Sequence, residues 1–145
     1  MKLNTNIVNR KVKFEYEFIE TFITGIKLQG SEVKAIIRGL VSLVDTYCYF
    51  NNGELYLKGM NVTGSNVAYS HEPIRDRKLL LKKKELRKLE SELINGLTIV
   101  PYRVFRNDKG LIKVEIVLCR GKKLWDKREK IKERDISRQK NLDIN

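Results

Sequence analysis

Histidine occurs once in this 145-residue chain, at His71, and cysteine only twice, at Cys48 and Cys119. A lone imidazole excludes a multi-histidine metal centre and a two-histidine nuclease, and two distant cysteines give neither a disulfide framework nor a zinc quartet. Both cysteines sit in apolar alternating stretches, where a free thiol acts as a small buried hydrophobe in a reducing compartment. No apolar run approaches the roughly 20 residues of a spanning helix. The opening MKLNTNIVN is too polar for a secretory leader. The expectation is a cytoplasmic protein with no membrane attachment. Acids are also scarce: 18 Asp+Glu face 30 Lys+Arg, for a net charge of +12. An excess of that size in one domain suits a polyanionic partner, nucleic acid foremost.

Catalytic chemistry is missing too. His71-Glu72-Pro73 is a weak acid–base pair, since adjacent residues seldom converge on one substrate atom. The segment from Gly59 to Gly64 lacks the Lys-Ser/Thr of a phosphate loop. Asp45 and Asp126 stand alone, without the clustered carboxylates of a magnesium site. No catalytic residue, metal or cofactor is expected, only binding.

What is present is mostly strand. Phe14, Tyr16 and Phe18 alternate with Glu15 and Glu17, so residues 14–28 read as a long half-buried strand with a bulge or bend near Ile19 and Gly25. Val33, Ile36, Ile37 and Leu40 mark one face of a short helix, with Ser31 as N-cap and Gly39 at its end. Residues 44–58 form a hairpin about Asn51-Asn52-Gly53. The stretch SHEPIRDRKLLLKKKELRKL, residues 70–89, carries eight lysines or arginines. Leu79 and Leu86 within it and Leu93 just beyond recur every seven residues, which predicts a helix of about 18 residues. TIVPYRVFR and LIKVEIVLC read as two more strands, with Pro101 placed at an edge or a bulge. The sum is a mainly β chain: an OB-type antiparallel barrel of about six strands with two or three flanking helices. Residues 1–120 make the barrel. Residues 121–145 make a basic tail, disordered when free and helical on a partner, because a segment so polar cannot offset its own ordering entropy.

Arg75, Arg77 and Lys78 fall at the predicted start of that long helix, where cations oppose the dipole. A phosphate partner explains them better than stability does. Lys34 and Arg38, at i and i+4, share a stripe away from Val33 and Ile37 and suit the same RNA face. The lysines at 82–88 circle the helix and cannot all reach one RNA, so about half of them read as plain solvated charge.

LQGSEVKAIIRG (28–39), VDTYC (44–48), HEPIRDRKLLL (71–81), TIVPYRVF (98–105) and RGKKLWDKREKIKERD (120–135) together resemble the SsrA-binding, or small protein B, family. The resemblance runs from about Asn9 to Arg138. It implies an RNA-binding barrel that docks on the tRNA-like part of transfer-messenger RNA and brings it to stalled ribosomes. It further implies a monomer in a 1:1 RNA complex that catalyses nothing. Asn9, Tyr16, Glu32 and the Gly121-Lys122-Lys123 turn are added to the RNA-binding set on this ground. Tyr16 equally suits the barrel interior. Glu32 either caps its helix or accepts hydrogen bonds from a base or ribose. The tail, through Gly121, Trp125, Asp126, Lys127, Arg128, Lys132 and Arg134, is expected to meet the small-subunit decoding region and the empty message channel. The chain departs from the family pattern at Lys82-Lys83 and at Trp125, which leaves only stacking, and no protonatable ring, at position 125. The alternative is a structural ribosomal-protein-like OB module.

Overall fold

Alternating burial builds most of the fold in the computed structural model, which describes residues 5–63 and 72–121. The first half of the chain supplies β1 (Asn6–Val8), α1 (Lys11–Glu15), β2 (Tyr16–Ile26), α2 (Gly30–Ile37), β3 (Val41–Ser42), β4 (Tyr47–Asn51), β5 (Glu54–Lys58) and β6 (Asn61–Val62). The second half supplies β7 (Arg77–Leu80), α3 (Lys83–Ile94), β8 (Thr98–Arg106) and β9 (Ile112–Gly121). Seven strands form one sheet in the order β1-β8-β9-β2-β7-β5-β4, and β3 pairs with β6. Every one of these pairings is antiparallel. The sheet curls until β4 lies against β8, which gives the expected OB-type barrel.

Ile36, Leu55, Leu57, Met60, Leu79, Leu89, Ile99 and Ile116 fill the interior with no exposed surface. Burying each such side chain stabilises by about 1.5–3 kcal/mol. A second cluster lies on the outer side of the β8/β9 wall. There Val12 of α1 covers Val100, Val117 and Cys119, with Tyr16, Phe18 and Tyr102 around them. Both faces of this wall are therefore buried, which is why Ile-Val-Pro and Ile-Val-Leu-Cys run without polar interruption. Burial raises both thiols, Cys119 to about 12.

Several expected elements are present. β2 shifts register between Phe18 and Glu20, where the bulge was predicted. Asn52 and Gly53 take φ of 52° and 78° between the paired Asn51 and Glu54, the backbone of a type I′ turn. Gly39, at φ 79°, closes α2: its N–H donates to Ile36 O and that of Leu40 to Ala35 O, both at 2.9 Å, a Schellman pair. Pro101 sits at the irregular step of the β8–β9 ladder.

Others are corrected. The first long strand begins at Tyr16, because residues 11–15 turn into α1 to lay Val12 over the outer cluster. The N-cap of α2 is Gln29, whose N–H donates to Glu32 Oε1 at 2.8 Å. The 18-residue helix is two elements. Arg77–Leu80 form β7, paired with β5 and with β2, and α3 has 12 residues. Leu79 belongs to the strand and points into the barrel, whereas Leu86, Leu89 and Leu93 make the helix stripe. The spacing of seven that joined Leu79 to Leu86 crosses an element boundary. Gly121, assigned to the tail, closes β9 opposite Tyr16.

Candidate nucleic-acid interface

Glu32, on the first turn of α2, has no exposed surface. An isolated carboxylate there would be costly, and burial alone would raise its pKa. Three sets of donors reverse that. Arg75 grips it with both Nε (3.2 Å, to Oε2) and Nη2 (2.5 Å, to Oε1), the Gln29 N–H reaches Oε1, and Arg77 Nε reaches Oε2 at 2.5 Å. Their combined pull holds the carboxyl below its ordinary value.

Arg77 corrects an expectation. Its side chain is wholly buried, and burial, partly countered by Glu32, lowers its pKa. Nη1 donates to Met60 O at 2.8 Å and Arg75 O at 3.1 Å; Nη2 donates to Pro73 O at 3.2 Å and Glu72 O at 3.5 Å. With Nε on Glu32, all five donors of the guanidinium are used. Arg77 thus ties α2 to the turn before β7 and has no donor left for a phosphate. Both oxygens of Glu32 are likewise committed, to Gln29, Arg75 and Arg77, which includes the helix-capping role left open from the sequence.

Arg75, two residues away, is the exposed member, with 27% of its side chain accessible. It rims a cleft of about 320 Å³ lined by Lys27, Leu28, Gln29, Tyr56, Asp76 and Lys78. Lys78 is held only loosely, 3.7 Å from Glu54. Lys34 and Arg38 are exposed on α2, as their stripe predicted.

Asn9 and Tyr16 meet elsewhere, in a cleft of about 420 Å³ with Val44, Asp45, Thr46 and Tyr47. Asn9 holds this wall together, donating from Nδ2 to Leu43 O at 2.8 Å and from its backbone to Tyr102 O at 2.7 Å. Tyr16 packs in the outer cluster, not the barrel interior. Burial, then the neighbouring Cys119 and Glu15, raises its hydroxyl pKa. Lys122, Lys123, Trp125, Asp126, Lys127, Arg128, Lys132 and Arg134 lie outside the described residues, as does His71.

Sequence reasoning missed Lys27, Tyr49, Tyr56 and Asp76. The signal for the tyrosines was available. A two-residue turn at Asn52-Gly53 fixes the register, and counting back from it pairs Tyr49 with Tyr56.

A basic, mainly β chain with an OB-type barrel and exposed cations around a cleft defines a nucleic-acid-binding module. Its family model is that of the SmpB protein, matched over residues 6–145, and the chain belongs to this family. An SsrA-binding protein of Christiangramia forsetii is 51% identical over 141 residues, covering 95% of this chain and 90% of the relative. One of Phocaeicola vulgatus is 52% identical over 139 residues, 92% and 91% of the two chains. Among solved structures, a chain described under "tmRNA-SmpB: a journey to the center of the bacterial ribosome" matches with a TM-score of 0.70 and 38% identity. That match covers 83% of this chain and 86% of the other. Among the described residues no helix is long and apolar enough to cross a membrane.

Proposed function

We propose that the chain binds transfer-messenger RNA and delivers it to stalled ribosomes in trans-translation, as a cytoplasmic binding protein that performs no reaction itself. The observation that carries the contact surface is the Glu32 node. A buried carboxylate and a buried guanidinium fix the backbone around residue 75, and Arg75 is presented at the mouth of a cleft with Lys27 and Lys78. Arginine so held meets a phosphate with little further loss of freedom. Lys34 and Arg38 extend the positive surface on α2, and in this reading Lys122 and Lys123 also contact the RNA. Asn9 and Tyr16 shape the other cleft, at the end of β9 from which the tail departs. In this reading one barrel engages one RNA, and residues 121–145 act apart from it. Trp125, Asp126, Lys127, Arg128, Lys132 and Arg134 probe the decoding region and the unoccupied message channel of the small subunit.

Sequencing the RNA retained on the purified full-length protein tests the reading. One dominant small RNA with a tRNA-like end, on a protein substoichiometric to ribosomes, is the expected result. A protein present once per ribosome and holding only ribosomal RNA would replace rescue with a permanent structural role.

A further inference from the structure

The outer face of the β4–β5 hairpin carries three tyrosines where a solvent-facing sheet would ordinarily place polar residues. Tyr49 and Tyr56 stack at a centroid distance of 5.7 Å with 22° between their planes, and Tyr47 tilts against Tyr49 at 6.5 Å. The Tyr49 hydroxyl donates to Asp76 Oδ2, which raises its pKa to about 12 and holds the ring. Tyr56 is part of the wall of the 320 Å³ cleft, which Lys27, Leu28, Arg75, Asp76 and Lys78 also line. Rigid aromatic surface with cations at its edge is what single-stranded nucleic acid uses: bases stack, phosphates pair.

We infer that this cleft takes one unpaired nucleotide of the bound RNA, its base against Tyr56 and its phosphate among Lys27, Arg75 and Lys78. The cleft lies at the small end of ligand-pocket volumes, too narrow for a duplex. The inference rests on the RNA-binding reading and adds a base-reading element to it. Asp76 also sets which base. Its carboxylate repels phosphate, and the bond from Tyr49 leaves lone pairs that accept from an amino or imino N–H. Guanine offers both donors on one edge and uracil only one. The cleft therefore favours guanine over uracil.

Isothermal titration of the full-length protein with single-stranded RNA hexamers tests this, one hexamer carrying a central guanine and the other uracil. Transfer-messenger RNA serves as a parallel titrant. The guanine hexamer is expected to bind more tightly than the uracil one. Tyr56→Leu should weaken it by roughly fivefold to a hundredfold, the range for loss of one base–aromatic stack. Tyr56→Phe keeps the ring and should bind as the parent does, so a folding defect is told apart from a lost platform. Asp76→Asn should shrink the guanine preference. Hexamers that do not bind while transfer-messenger RNA does would overturn the nucleotide site and leave the function standing. Equal hexamer binding by Tyr56→Leu and parent would overturn it as well. If Tyr56→Leu instead weakens binding of RNA-free protein to ribosomes, the tyrosines dock protein and the inference falls. Failure to bind transfer-messenger RNA at all would strike the function itself.

Discussion

The basic stretch around residues 72–89 holds two regions of similar charge and opposite physics. In the first, Arg75 and Arg77 converge on a buried carboxylate, and one of the two is fully enclosed. In the second, α3 carries Lys83, Lys84, Arg87 and Lys88 on exposed positions. Of these, Lys88 reaches Glu20 across the surface at 2.7 Å. Charge density along the sequence is alike in both. What separates them is where the side chains go, and hence what each cation is for. Arg77 is enclosed scaffold, Arg75 is tied to that scaffold yet keeps part of its surface in solvent, and the helix cations stand in solvent, where their interactions are screened.

The largest effect should follow from breaking the enclosed region. Glu32→Ala leaves Arg77 buried without its counter-charge, which costs about 3–5 kcal/mol. Urea denaturation should show the unfolding free energy fall by that amount and the midpoint move down in proportion, with RNA affinity lost alongside the fold. Arg77→Ala strands Glu32 only in part, since Arg75 and Gln29 still hold the carboxylate, so the loss should be smaller. At RNA concentrations that keep the variant folded, its salt dependence should equal the parent's. A shallower slope for Arg77→Ala would mean that the guanidinium reaches phosphate after all.

Acid provides a second, milder break. Glu32 titrates below its ordinary value in the folded state, so the stability it contributes is complete above the unfolded pKa of about 4.3. That stability drains away as pH falls through the lower folded value. Denaturation midpoints should therefore decline below about pH 4.3, with a steeper acid limb in the parent than in Glu32→Gln. Superimposable limbs would show that the node does not sense pH.

Arg75→Ala sharpens the contrast at the next level down. Removing a half-exposed partner of Glu32 should cost about 1 kcal/mol of stability, the low end for a charged hydrogen bond lost near solvent. Its signature is in binding. The slope of log K against log salt should become shallower by about 0.7–0.9, one phosphate contact. Filter binding to transfer-messenger RNA over a salt series measures it.

How much of this was legible before any coordinates follows the same division. Period-two alternation in β9, the Asn-Gly hairpin and the helix stripe of α2 are local patterns that were read correctly. β8 departs from alternation, because the irregular step at Pro101 and Arg103 leaves Val100 in the outer cluster and Val104 in the barrel interior. α1 was not legible, because five residues are too few for a period and its burial depends on Val100 and Val117 far along the chain. β7 was missed because Arg77, a charged residue, occupies an inward position that a pattern of apolar residues never assigns to it. Its partner Glu32 lies 45 residues earlier, and no spacing rule links the two. The resemblance to the SsrA-binding family pointed at Glu32 without telling whether it touches RNA or positions what does.

The smallest effect should come from the helix region, and it is the most direct test of the contrast. Lys83, Lys84 and Arg87 are exposed and belong to no ion pair found among the described residues. Replacing all three with glutamine removes three positive charges, yet glutamine is nearly as good a helix former as lysine or arginine. Surface changes of this kind stay within about 0.5 kcal/mol each. Affinity for transfer-messenger RNA should drop a few-fold at low salt through the weakened long-range field. That loss should vanish at physiological ionic strength, where the screening length is about 8 Å. The salt series should accordingly be shallower by only a fraction of a unit, because the long-range field weakens while no phosphate loses a contact. A slope shallower by about two or three units would place these residues on the RNA backbone. In that case α3 would be interface too, and the difference between the two regions would reduce to Arg77 alone.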